Sequence, residues 1–274
     1  MHDIVPSALP ARLPRRQADA HKGDFGGVGV LGGAPGMTGA ALLAARAALL
    51  CGAGRVYAGM LDERVACDPI HPELMVCAPQ RLLDLPSPAC LVLGPGLGNS
   101  ALARQWLAAL LALPHAALLD ADALNLLAAD DVLQAALAAR AAPVVITPHP
   151  GEAGRLLGLP AAAVQADRVG AVRALARRFR AVAVLKGADT LVYREGGEVW
   201  RNTTGHPGMA APGMGDVLSG ILAALIAQGM EIEHAAVLGV WLHGTAGDRA
   251  AGLGPTGLTA SEVALEARRT LNAL

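Results

Sequence analysis

Apolar positions along this chain come in two rhythms. Short apolar runs of strand length recur at 28–31, around Val56, and at 74–77, 90–93, 116–119, 144–147 and 181–185. Between them lie longer stretches with apolar residues at helical spacing, at 39–50, 101–112 and 164–179. Residues 193–195 and 199–201 read as a hairpin joined by Gly196 and Gly197. A long apolar helix follows within 205–229, and two more helices, 235–251 and 261–271, close the chain. Strands alternating with helices through short connections predict a three-layer α/β/α sandwich around a mostly parallel sheet. No internal repeat or linker interrupts residues 21–274, which read as one domain. Residues 1–20 carry Pro6, Pro10 and Pro14 with a basic cluster of Arg12, Arg15 and Arg16, and read either as an arm packed across the surface or as a disordered tail.

Each apolar strand hands over, at its C-terminal end, to a loop rich in glycine and polar residues. Strand 28–31 runs into the turn 32–38, and strand 90–93 into GPGLG at 94–98. Strand 116–119 ends in DADALN, 144–147 in PHPGE and 181–185 in KGADT. In an open parallel sheet these loops share one edge, where ligands bind. The opening strand, glycine-rich turn and helix suit a nucleotide-binding βα unit, but the spacing fits neither G-x-G-x-x-G nor a Walker A motif.

The stretch 205–229, GHPGMAAPGMGDVLSGILAALIAQG, joins a glycine-rich half to an apolar helix. Free amide N–H groups at Gly213, Met214 and Gly215, with the positive end of the helix dipole, make an anion site. A carboxylate there, Asp216, repels phosphate oxygens. It makes sense as a base that deprotonates a hydroxyl about to receive a phosphoryl group, or it simply caps the helix. Asp120 and Asp122 suit a ribose hydroxyl or a substrate amide, or cap the helix after them. Glu152 suits a water-mediated Mg²⁺ contact or first-turn dipole stabilisation. Lys186, directly after an apolar strand, needs an anion unless it reaches solvent. Together these loops favour phosphoryl transfer to a hydroxyl.

Composition narrows this little. The formal net charge of −1 argues against general attraction to nucleic acid or anionic membrane. Although 53% of residues are hydrophobic, no apolar run reaches the roughly 18 residues of a membrane span. Aromatics make up only 3%, so the core must be built from small aliphatic side chains. Residues 1–16 lack a secretory h-region, and Cys51, Cys67, Cys77 and Cys90 form no C-x-x-C pair. Free thiols in a cytoplasmic protein are expected.

The motifs HKGDFGGVGVLGGAPGMTGAA, LGPGLG, LLDADALN, TPHPGE, LKGADT and NTTGHPGMAAPGMGDVLSG, in that order, resemble the ADP-dependent NAD(P)H-hydrate dehydratases of the ribokinase-like superfamily. The resemblance covers the chain from about His21 onward and implies a ribokinase-like fold. It implies a metabolite-repair lyase that dehydrates the (6S)-hydrate of NADH or NADPH, consuming ADP and releasing AMP and phosphate. Carried over, Asp216 is the base and contacts the hydrated ring. Ala40 or Ala41, Gly98, Asp122 and His149 sit around the damaged dinucleotide. Lys186, Gly187, Ala188, Asp189 and Thr190, with Gly213, Met214 and Gly215, hold the adenine nucleotide, and Mg²⁺ accompanies it near Glu152. A homo-oligomer, by resemblance a tetramer, is expected, with the alanine-rich helices 39–50 and 235–251 as packing faces. The resemblance also implies a separate epimerase.

Two features depart from the pattern. Ala211-Pro212 and Met214 stand where hydroxyl side chains are usual, so backbone amides must carry more of the anion binding. The rival readings are a kinase of a small hydroxylated vitamin precursor of the hydroxyethylthiazole type and a non-catalytic nucleotide-binding regulator. A regulator gains nothing from Asp216, whose charge only weakens phosphate binding when no proton is to be removed.

Overall fold

Period-two alternation along the strands divides their side chains between two cores. In strand β5 (Ala89–Leu93), Cys90 and Val92 belong to one cluster, Leu91 and Leu93 to the other. β2 (Gly27–Gly32), β6 (Ala116–Leu119), β7 (Val144–Ile146) and β8 (Val182–Leu185) are fully apolar and almost entirely buried, because both faces of the sheet are covered. The structure, a computed structural model, describes residues 1–9, 13, 16–87, 89–252 and 254–274. Pro10, Arg12, Pro14 and Arg15 of the basic arm lie outside the described residues.

The remaining strands are β1 (His2–Asp3), β3 (Arg55–Met60), β4 (Met75–Cys77), β9 (Thr190–Tyr193) and β10 (Trp200–Asn202). They form one ten-stranded sheet in the order β1-β10-β9-β8-β7-β6-β5-β2-β3-β4. Pairing is parallel from β8 through to β4, while β9 runs antiparallel to both β8 and β10. One core packs α1 (Thr38–Leu50), α8 (Met214–Ala227), α9 (Ile232–Ala251) and α10 (Ala260–Leu271) on the sheet. The other packs α2 (Ala101–Leu111), α3 (Asp122–Ala128), α4 (Asp131–Ala138), α5 (Pro150–Leu157), α6 (Ala161–Ala166) and α7 (Arg168–Phe179). The fold is the expected mostly parallel α/β/α sandwich.

Three details differ from the sequence reading. The single helix expected over 164–179 is broken at Asp167, whose backbone is non-helical (φ −135°, ψ 74°) and whose side chain accepts a hydrogen bond from the Gly170 N–H, so that α7 restarts there with its own cap. The hairpin is present, but its first strand begins at Thr190, the last residue of the KGADT stretch. The N-terminal residues also enter the sheet: β1 pairs with β10, and Ile4 is buried. Arg16 stacks on Phe25 at 3.7 Å and donates to the Gly52 carbonyl, which ties the described part of the arm to the surface.

The alanines of α1 are spent inside the chain. Ala41, Ala44, Ala45, Ala47 and Ala48 are fully buried, facing α8 and the sheet. Where α1 meets α8 the backbones nearly touch: a Cβ at Gly220 would lie 2.1 Å from the Ala44 carbonyl oxygen and 2.8 Å from the Ala47 Cβ. The alanine faces of α1 and α9 are thus consumed by neighbouring helices, and the sequence argument that they await a partner copy falls away. Gly220→Ala gains about 1 kcal/mol of helix propensity but must push two packed helices apart, which costs about 1–3 kcal/mol. The variant should therefore melt below the parent in a thermal scan; a higher melting temperature would mean that the helices separate freely.

Candidate active site

The strand order reverses between β2 and β5, and the loops that leave them are zipped together. The N–H groups of Gly33 and Ala34 donate to the carbonyls of Pro95 and Gly96 at 3.1 and 2.7 Å. A Cβ at Gly32 would lie 2.0 Å from the Pro95 oxygen, so only glycine allows this approach. In open α/β sheets the crevice at such a reversal is where ligands sit. Gly98 (φ 72°) turns the second loop back, and its N–H donates to Asp122 at 2.8 Å, so Asp122 anchors this loop. Ala40 is partly exposed and lies against Gly96, whereas Ala41 is fully buried. Of the two candidate alanines, only Ala40 has a side chain a dinucleotide can reach; the helical repeat turns Ala41 into the core.

Further along the edge, Lys186 at the end of β8 finds its anion within the protein. Its Nζ donates to Asp120 at 2.6 Å and lies 3.9 Å from Glu152. Asp120 is only 1% exposed, too buried for the ribose contact that its position suggests in sequence. It also accepts from the Ser219 hydroxyl at 2.9 Å. Burial opposes both charges. Yet Lys186, with these hydrogen bonds, holds the Asp120 carboxyl below the usual range, and Asp120, Glu152 and Asp216 hold the ammonium above its own. Sequence reading passed over Ser219, although a signal was there: it is the one polar residue in α8 after Asp216.

The first turn of α8 lies over this pair. Gly213 (φ 86°) takes the left-handed conformation that starts the helix, and Gly215 lies close over the pair, since a Cβ there would sit 3.2 Å from Lys186 Nζ and 3.5 Å from Asp120 Oδ2. Met214 sends its side chain into the core, so it offers the site its amide alone. Asp216, in this first turn, accepts no hydrogen bond from the described residues, which removes the capping explanation. Its carboxyl is pushed up to about 7, first by burial and then by the negative charges of Asp120 and Asp122, with Lys186 pulling the other way. A carboxylate poised near neutrality without a partner is what a general base requires.

His149 and Glu152 form a reciprocal cap on α5. His149 Nδ1 accepts from the N–H groups of Gly151 and Glu152, and Glu152 Oε2 accepts from the His149 N–H at 2.8 Å. Burial and Lys186 lower the His149 pKa, keeping the ring neutral as the cap demands, and burial raises that of Glu152. His149 remains half exposed toward the edge, while Glu152 is buried. Among the described residues, no cluster of three acidic, histidine or cysteine side chains could hold a metal ion. This donor set does not fit a metal held by the protein itself. Gly187, Ala188 and Asp189 are exposed beside Lys186, with Thr190 half exposed.

A buried cation, a partner-free carboxylate near neutrality and glycine loops at the strand-order reversal bear on one question of ancestry. The family model for NAD(P)H-hydrate dehydratase matches residues 28–267. An ADP-dependent (S)-NAD(P)H-hydrate dehydratase from Neisseria meningitidis is 42% identical over 95% of this chain and 90% of its own. A bifunctional NAD(P)H-hydrate repair enzyme from Moorella thermoacetica is 44% identical over 88% of this chain, which spans about half (48%) of that protein's length. The crystal structure of the ADP/ATP-dependent dehydratase from Bacillus subtilis, co-crystallised with ATP/Mg²⁺, superposes with a TM-score of 0.84 at 28% identity, covering 99% of this chain and 98% of that one. With the match running from the first buried strand into the last helix, the chain belongs to the NAD(P)H-hydrate dehydratase family of ribokinase-like enzymes.

Proposed function

We propose that the chain repairs hydrated nicotinamide cofactors, with Asp216 as the base that starts an ADP-dependent dehydration of the (6S)-hydrate of NADH or NADPH. The observation that carries the reading is the unbonded Asp216 carboxyl, raised to about 7, in the first turn of a helix, where free backbone amides suit an anion. Asp216 takes the proton of the ring hydroxyl, and the oxygen attacks the terminal phosphorus of ADP. An O–P bond forms while the bond to AMP breaks. The ring nitrogen's lone pair then expels phosphate, and loss of the neighbouring C–H proton restores the dihydropyridine. Phosphorylation turns hydroxide, a poor leaving group, into a good one. The N–H groups of Gly213 to Asp216 and the Lys186 ammonium stabilise the charge on the transferring group.

In this reading Ala40, Gly98, Asp122 and His149 border the dinucleotide, and Lys186 to Thr190 with Gly215 border ADP. Mg²⁺ travels with the nucleotide's phosphates, and Glu152 contributes at most a water-mediated contact. Cytoplasmic location, a separate epimerase and a homo-oligomer belong to the same proposal. The kinase alternative shares the site's logic, but the curated relatives matched across the domain are named an ADP-dependent (S)-NAD(P)H-hydrate dehydratase and a bifunctional NAD(P)H-hydrate repair enzyme. Incubation with hydrated NADH and ADP separates the two. Return of NADH absorbance with stoichiometric AMP and phosphate supports the dehydratase, and a stable phosphorylated product supports the kinase.

Asparagine keeps the shape of Asp216 but takes no proton. Asp216→Asn should bind ADP at least as tightly and fold normally, while single-turnover dehydration falls by about 10²–10⁴. Turnover within a few-fold of the parent would end Asp216's role as base. The sign of the pH dependence follows, because the base works only when charged. With the carboxyl at about 7, kcat/KM should fall roughly tenfold per unit below pH 7 and level off above it. The residual activity of Asp216→Asn should lose that limb.

Lys186→Ala strands Asp120 in the interior, so it should cost about 3–5 kcal/mol of stability as well as ADP affinity. Pairing Lys186→Met with Asp120→Asn should recover most of the stability but none of the affinity. A double variant that binds ADP normally in calorimetry would show that Lys186 serves the fold alone.

A further inference from the structure

The turn 186–190 has an unusual internal asymmetry. Arg168, the first residue of α7, reaches under it with one guanidinium nitrogen, Nη2, within hydrogen-bond distance of three carbonyls: Leu185 at 3.1 Å, Lys186 at 3.3 Å and Asp189 at 3.3 Å. Nη1 is held by Gln165 at 2.8 Å, and the guanidinium also fills the space in which a Cβ at Gly187 would sit, 3.3 Å away. Across a trans peptide the N–H points opposite to the C=O. Carbonyls gathered on the Arg168 side therefore turn the N–H of Gly187 away from it. Thr190 Oγ1 donates to the Gly187 carbonyl at 2.9 Å and orients the next peptide unit, that of Ala188. Among the described residues, no hydrogen bond takes the N–H groups of Gly187, Ala188 or Asp189. The result is an exposed run of free amides directly after Lys186 in the chain, held open by a positive φ at Gly187 (132°) and at the non-glycine Asp189 (55°). Successive free amides of this kind make an anion-binding concavity.

We propose that Arg168 is the positioning residue of the nucleotide site: its hold on the Lys186 carbonyl faces the Gly187 amide toward the phosphates of a nucleoside diphosphate, and its hold on the carbonyls of 185 and 189 pins both ends of the turn that carries the amides of 187–189. This rests on the assignment of 186–190 to ADP in the proposed function. Arginine suits the task because its planar fork carries five donors in fixed geometry, whereas a lysine at 168 would bring a point charge on a flexible stem and could not hold three carbonyls in one arrangement. Arg168 makes its hydrogen bonds to Gln165 and to the carbonyls of 185, 186 and 189, none of them to Asp216, so its effect must pass through the turn.

The test is calorimetric titration with ADP and, separately, with NADH as the product dinucleotide, on the full chain carrying Arg168→Lys or Arg168→Ala, with melting curves alongside. Both variants should lose about 10- to 100-fold in ADP affinity, the scale of charge-assisted hydrogen bonds. NADH affinity should stay within about twofold. Tens of millimolar guanidinium, far below the molar range that unfolds proteins, should restore ADP binding to Arg168→Ala by refilling the vacated pocket. Unchanged ADP affinity in Arg168→Lys overturns the proposal, even if Arg168→Ala fails to fold. So does an equal loss for ADP and NADH, which would mark a structural role. A parent protein that takes up no ADP would instead overturn the assignment of the turn itself.

Discussion

Lys186 and Asp120 meet at 2.6 Å with almost no water around the carboxylate. A pair of charges this deep survives only when both are present and further hydrogen bonds complete them, and loss of one partner typically costs about 3–5 kcal/mol. Here Ser219 supplies the extra bond. The pair joins the C-terminal ends of β6 and β8, and the first turn of α8 lies on top of it through Gly215. One interaction thus fixes the relative positions of three elements whose tips make the site. It also sets the local electrostatics: Asp120 neutralises most of the Lys186 charge, so that Asp216, which burial has already raised, is not pulled back to the ordinary carboxylate range.

The loops around this pair are shaped by close backbone approaches. Gly32 admits a neighbouring carbonyl where any Cβ would intrude, Gly215 lies close over the charged pair, and the loops after β2 and β5 bond each other directly. The edge is therefore rigid and rich in amide donors, while its carboxylates are sorted by surroundings. Asp122 and Glu152 are occupied in anchoring a loop and capping a helix, and Asp120 is paired with the ammonium. Asp216, mostly withdrawn from solvent, accepts no hydrogen bond from the described residues. That sorting favours proton abstraction next to a phosphoryl donor, the chemistry a hydrate-repairing dehydratase needs.

Much of this was legible in the sequence. Local rules fix where apolar runs begin and end, so β5, β6 and the last two helices, α9 and α10, lie within a residue or a few of their expected bounds. The alternation of these runs determines a parallel sheet, and a parallel sheet places every strand-end loop on one edge. For that reason the site's location, its glycine turns and the family motifs needed no coordinates.

Tertiary structure decided which polar residue does what. Asp120 and Asp216 carry the same side chain, and each precedes or opens a helix in sequence, yet one is a buried counter-ion and the other a carboxyl without a hydrogen-bond partner among the described residues. The difference comes from Lys186, 66 positions away from Asp120. Ala40 and Ala41 are chemically identical neighbours, and only the rotation of α1 on the sheet buries one and leaves the other partly exposed. Arg168 was merely one basic residue on a helix until the return of β8 laid the 186–190 turn across it. Contacts between residues this far apart in the chain depend on how elements pack rather than on any local spacing, so no reading of periodicity reaches them.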